Sequence, residues 1–166
     1  MGELTWMKVA RSFYGMREIP GAKHNPDVVR LFGLAGHPEI HDDETAWCAA
    51  YVGGVLHLAG MEGTGSLSAR SYEQWGQPLD HPMYGCVGVK KRTGGAAWQG
   101  HVGFVVGASD SEIFLLGGNQ SNMVSVAGFD RREFTALRYP PGVDFPKEPR
   151  PLPMTIMGAA VAVSEG

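Results

Sequence analysis

The sequence predicts an α+β domain in which N-terminal helices pack on a small antiparallel β-sheet. Three observations carry that expectation. The first half shows apolar residues at helical spacing between recognisable caps. The second half breaks into short β-rich segments separated by Gly, Ser, Asn or Asp, and the halves differ in character with no internal period. At 166 residues, 43% hydrophobic and 19% charged, the chain suits one compact domain. A domain of that size buries roughly 70% of its unfolded surface, so it needs neither disulfides nor a structural metal to fold.

Leu4 to Tyr14 carries apolar residues at Trp6, Met7, Val9, Ala10, Phe13 and Tyr14 and stops at Gly15, which reads as a first helix. Asn25-Pro26 is a helix start, an N-cap followed by proline at the first helical position, leading through Val28, Val29, Leu31 and Phe32 to Gly33. The strongest helical segment runs from about Ala46 to Leu58, with Thr45 as N-cap and Gly60 as its C-terminal stop. After a Gly-rich loop, Gly60 to Gly65, Ser66 or Ser68 caps a helix ending near Trp75-Gly76. Strands are expected at Cys86 to Lys91, His101 to Val106, Glu112 to Leu116, Met123 to Val126 and Phe134 to Tyr139.

Six of the eleven prolines lie between Pro140 and Pro153, which keeps that stretch extended, so the domain is expected to span 1–141 and a Pro-rich extension with a short apolar tail 142–166. The apolar run Met154 to Val163 is too short to cross a membrane, which takes about 20 residues. The N-terminus lacks the basic region and apolar run of a secretory signal, so synthesis in the cytoplasm is expected. With 14 basic against 17 acidic residues, and basic clusters only at Lys90-Lys91-Arg92 and Arg131-Arg132, the chain lacks the footprint of a nucleic-acid binder. A monomer is expected.

Cys48 and Cys86 follow no zinc spacing and read as free thiols. With Thr45 as cap, Ala46, Trp47 and Cys48 fill the first three helical positions. There the unpaired N–H groups and roughly half a positive charge of a helix N-terminus favour a thiolate that can point toward a neighbouring sheet. Most free cysteines are instead small buried hydrophobes, and Cys86, at the start of a strand, reads as one. A thiol nucleophile also needs a base, and six histidines compete. His57 lies nine residues beyond Cys48, about 900° around the helix, and faces the opposite side. His24, His37, His41 and His81 fall in polar or proline-containing connections, with His41 kept as an alternative. His101 opens the apolar strand His101-Val102-Gly103-Phe104-Val105-Val106, where a side chain holds a fixed direction. Eighteen residues on, Asn119 in Gly117-Gly118-Asn119-Gln120 returns beside His101 if the two strands form a hairpin, and would orient the imidazole. Turn chemistry explains Gly-Gly-Asn equally well, and Gln120 is a second candidate for orienting the histidine or contacting substrate.

Taken in order, five blocks resemble small phage-associated cell-wall cysteine hydrolases of the CHAP and NlpC-type papain-like superfamily. They are Trp47-Cys48-Ala49-Ala50-Tyr51-Val52; Gly63-Thr64-Gly65-Ser66 with Ala69-Arg70-Ser71; Trp75-Gly76; Gly100-His101-Val102-Gly103-Phe104; and Leu116-Gly117-Gly118-Asn119-Gln120. The likeness covers roughly residues 5 to 140. It implies a papain-like α+β fold and hydrolysis of peptidoglycan amide bonds, either between stem-peptide residues or between muramic acid and L-alanine. Cys48 would be nucleophile, His101 general base and acid, and Asn119 the orienter. Where such proteins often show Gly-Asp before the first strand, this chain has Gly85-Cys86, a local departure away from the nucleophile.

No cofactor or metal is expected. Some CHAP enzymes bind calcium, but His41-Asp42-Asp43-Glu44 lacks the spacing of an oxygen-ligand loop. His-Glu-x-x-His and clustered zinc ligands are missing, and Gly63-Thr64-Gly65-Ser66 lacks the phosphate-loop lysine. Trp47 and Trp98 are candidate cleft walls, since flat aromatic faces suit sugar rings and peptide stems. The partner is bacterial peptidoglycan, reached after release or delivery from a phage or particle. The rival expectation is a cell-wall or virion-binding module that keeps the fold without turnover.

Overall fold

The structure, a computed structural model, describes residues 3–19, 24–41, 46–92, 94–96 and 99–146. It is α+β: helices α1 (Thr5–Ser12), α2 (Pro26–Leu34) and α3 (Cys48–Leu58) precede a six-stranded sheet. The strands are β1 (Gln77–Pro78), β2 (Val87–Lys91), β3 (Gly100–Ala108), β4 (Glu112–Gly117), β5 (Ser125–Asp130) and β6 (Phe134–Tyr139). Every pairing is antiparallel, in the order β1-β6-β2-β3-β4-β5. No helix among the described residues is long and apolar enough to cross a membrane.

α2 starts as its sequence dictates, with the Asn25 side chain accepting from the Asp27 N–H and proline at the first position. α3 is apolar all round, and Cys48 to Leu56 are all buried. Such a helix must be sandwiched. α1 covers one side, where the Tyr51 hydroxyl donates to Ala10 O at 2.7 Å. α2 covers another, and Gly54 lets it close in, since a Cβ there would lie 2.8 Å from a Leu31 methyl. On the third side Tyr51 meets Phe104 of β3 edge-on at 6.0 Å. The expected helix after Ser66 or Ser68 is a single 3₁₀ segment, Ala69–Gln74, without a side-chain cap. It is tied to the Gly-rich loop by Thr64 Oγ1 to Ser71 Oγ (2.7 Å) and by Trp75 Nε1 to Glu62 O (3.1 Å).

The sheet is curled. In a flat sheet β5 and β6 would stand four strand spacings apart, roughly 19 Å. Only Arg131–Glu133 joins them, and four Cα steps reach about 14 Å at most. Curling also brings Phe129 of β5 within 5.5 Å of His101 on β3 and 4.9 Å from Lys90 Nζ on β2. His101 and Lys90 face each other across the β2–β3 ladder, and both are wholly buried.

Four of the five expected strands match within three residues at each end; the fourth expected segment, Met123 to Val126, is corrected to Ser125–Asp130, because Asn119 to Val124 is spent on a turn with three left-handed residues. β1 was not anticipated; it holds two residues, one of them proline. Thr45, Asp42 to Glu44, Trp98 and the tail 147–166 lie outside the described residues.

Both cysteines are free thiols. Burial pushes Cys86 up to about 12, whereas a thiol in the unfolded chain titrates near ~8.5. Its stabilising contribution is therefore complete below about pH 8.5 and is lost as the pH climbs toward 12, because only the unfolded chain releases the proton in that window. Between pH 8 and 10 this one group should account for roughly 2 kcal/mol of lost stability. Urea denaturation of Cys86→Ala at both pH values should show a correspondingly shallower decline than the parent; an equal decline removes Cys86 as the cause.

Candidate active site

The site forms where β4 parts from β3. The Arg92 N–H donates to Gln99 O at 3.3 Å. In the β2–β3 register this makes Lys90 and His101 a hydrogen-bonded pair and Val89 and Val102 a non-hydrogen-bonded one, so the Val102 N–H turns away from β2. β4 pairs with β3 only from Phe104↔Leu116 onward and leaves that amide unclaimed by a strand. It lies close enough to the sulfur of Cys48 to favour the thiolate.

α3 begins at Cys48, not at Ala46. Trp47 occupies the N-cap position with no side-chain cap, so Cys48 is the first helical residue. The N–H groups of Val102, Ala49 and Cys48 itself favour a negative charge on the sulfur. The expectation of an ionised thiol is corrected. Burial pushes Cys48 above the ordinary thiol range, and the N–H groups of Val102 and Ala49 and the charge of Arg92 pull it back only in part. Desolvation of the anion outweighs the helix terminus because the residue is 7% exposed.

The side chain that hydrogen-bonds His101 is Gln120, not Asn119. The Gln120 amide nitrogen donates to Leu115 O (3.2 Å) and Ser125 O (2.8 Å), so its oxygen faces His101 Nε2 at 2.9 Å. A carbonyl oxygen only accepts, so Nε2 carries the proton and Nδ1 is the basic nitrogen. Gly117 makes room for this bond, since a Cβ there would collide with the Gln120 oxygen.

Asn119 turns the other way, with φ at 59°. Its amide oxygen accepts from the Trp47 N–H (3.3 Å) and its nitrogen donates to Glu18 Oε1 (3.2 Å), the amide orientation following from these partners. Glu18 Oε1 also accepts from Trp47 Nε1 at 2.8 Å. Trp47 is wholly buried and offers no face to a substrate, which corrects its assignment to a cleft wall. Gly118 lets the loop reach it, since a Cβ there would lie 2.9 Å from the indole. Glu18, Trp47 and Asn119 thus form a clamp that holds the first turn of α3 against the loop after β4.

Of the other histidines, His57 is exposed beside Glu62, and His41 lies on the surface. Glu18 and Arg92 were not singled out from the sequence. Arg92 had a signal, because strand alternation through Lys90-Lys91-Arg92 separates Lys91 from the other two. No group of three or more His, Cys, Asp or Glu among the described residues is placed to hold a metal ion. The chain matches no family model, no curated protein and no solved structure.

With its thiol protonated at neutral pH, Cys48 should react with iodoacetamide at a rate that climbs about tenfold per pH unit from pH 7 to 9. Cys86, fully buried and pushed up to about 12, should react far more slowly throughout. Mass spectrometry of timed, alkylated digests separates the two sites. A Cys48 rate that is already flat below pH 7 would mean a preformed thiolate.

Proposed function

We propose that the chain is a cysteine hydrolase of the CHAP and NlpC-type papain-like class that cleaves amide bonds in peptidoglycan, with Cys48 as nucleophile, His101 as base and acid, and Gln120 in place of Asn119 as the residue that orients the imidazole. One arrangement supports the reading above all others. A strand histidine with its Nε2 proton fixed by Gln120 is followed at once by Val102, whose amide meets the sulfur of a cysteine at a helix N-terminus. Two buried cores joined at random have no reason to place these three groups together.

Because the resting thiol is neutral, attack is base-assisted. As Cys48 Sγ bonds to the substrate carbonyl carbon, its proton passes to His101 Nδ1 and the carbonyl electrons move to oxygen. The Cys48 N–H and a second donor stabilise that oxyanion. The imidazolium then gives the proton to the amide nitrogen as the C–N bond breaks, leaving a thioester and a free amine. His101 next deprotonates a water that attacks the thioester. The C–S bond breaks, and the departing sulfur recovers a proton from the imidazolium. Wall substrate is reached after release or delivery from a phage or particle.

The burial that raises the Cys48 thiol also favours a second reading, a wall- or virion-binding module on the same scaffold without turnover. Turbidity loss of purified cell walls separates the two. Cys48→Ala should fold and lose lysis by about 10³-fold or more. Gln120→Ala should lower kcat roughly 10–100-fold, whereas Asn119→Ala should keep kcat within about threefold and lower stability by about 1 kcal/mol. Lysis by Cys48→Ala at the parental rate sinks the hydrolase reading. Mass spectrometry of the fragments identifies the cleaved bond from its new terminus.

A further inference from the structure

The end of β2 places three cations around the start of β3, and two of them are already engaged. Lys90 Nζ donates to Lys91 O at 2.8 Å and lies over the Phe129 ring. Arg70, whose stem packs where a Cβ on Gly100 would sit, pairs with Glu73 at 2.8 Å. Arg92 differs. It is half-buried, its backbone extends the β2–β3 ladder to Gln99, and no carboxylate among the described residues lies within ion-pair distance of its guanidinium. Arg11, Arg70 and Arg132 each have such a partner. Partial burial without a counter-charge costs stability, and a guanidinium fork matches the two oxygens of a carboxylate.

We propose that Arg92 is the anion-recognition residue of this site, seating a free, unamidated carboxylate carried by the acyl portion of the substrate beside the scissile carbonyl. Arg92 lies opposite Gln99, two residues along the chain from His101, and its positive charge favours the Cys48 thiolate against burial. Within peptidoglycan the preferred substrates would then be stem peptides whose carboxylate is free, over those in which it is a carboxamide. The substrate class rests on the hydrolase reading; the anion subsite itself does not, and its test needs no turnover.

The test compares alkylation of Cys48 by iodoacetate and by iodoacetamide on the intact chain. Both reagents form the same bond, the thiolate sulfur displacing iodide from the methylene carbon as the thiol proton goes to solvent. The thiolate population therefore cancels in the ratio of the two rates, which leaves the attraction for the carboxylate. The iodoacetate-to-iodoacetamide ratio at Cys48 should stand about tenfold above that of the urea-unfolded chain. Arg92→Gln should return it to the unfolded value, and Arg92→Lys should keep part of it. In the unaltered chain, raising salt from about 0.02 M to about 0.5 M should collapse the same ratio, a measurement that depends on no variant. A ratio that is equal in the parent and Arg92→Gln, or indifferent to salt, overturns the assignment. Stem peptides in carboxylate and carboxamide forms report separately on the reaction. If the parent cleaves neither, the hydrolase reading falls and the alkylation ratio still decides Arg92.

Discussion

Where β4 leaves β3 before Phe104, the amide of Val102 loses its strand neighbour, and the sulfur of Cys48 is seated close enough for that N–H to favour its anion. The start of α3 is thereby seated at the edge of β3 that β4 leaves open. Everything else near the site is arranged around that seat. The clamp of Glu18, Trp47 and Asn119 holds the first turn of α3 from the outside. Tyr51, one turn further on, braces the helix between Ala10 and Phe104. The helix has no capping side chain of its own because its terminal N–H groups are directed at the thiol and at the neighbouring loop.

That seat sets two electrostatic demands against each other. Helix-terminal N–H groups and Arg92 favour a sulfur anion, while 7% exposure removes the water that would solvate it. Burial prevails, and the resting thiol is neutral. A neutral thiol is the less costly form to bury, since a charge taken out of water loses several kcal/mol of hydration. The donors around the sulfur are then held in reserve for the moment when negative charge develops, which is when preorganised dipoles are of most use.

The helices and most of the sheet were legible because their signals are local. Asn25-Pro26 and the apolar run of α3 describe their own structure, and Gly- and Asn-bounded β-rich runs mark the strands. The placement of Asn119 failed for a nameable reason. Extending the β3–β4 register puts residue 119 opposite His101 only if the chain stays extended, and left-handed backbone at Asn119, Ser121 and Asn122 turns it instead. The two adjacent amides consequently serve opposite sides, Gln120 the imidazole and Asn119 the helix. Nor could the burial of Trp47 or the raised Cys48 thiol be read locally, because both depend on what the loop at Glu18 and the edge of β3 bring from far along the chain. That no carboxylate among the described residues pairs with Arg92 is a relation across the fold, and no sequence window records it.

The Gln120 bond has a further property that bears on proton transfer. Its oxygen accepts from His101 Nε2–H, and that hydrogen is present in both the neutral ring and the imidazolium. A proton arriving at Nδ1 therefore changes the charge of the ring without asking Gln120 to turn, and Gln120 is further held by the carbonyls of Leu115 and Ser125. A carboxylate in the same place would stabilise the imidazolium strongly and slow the return of its proton to a leaving amine. A neutral amide fixes the direction of the ring without placing a charge beside Nε2. A neutral amide anchored on two carbonyls holds the ring in one direction in both of its protonation states, as the proposed proton transfers require.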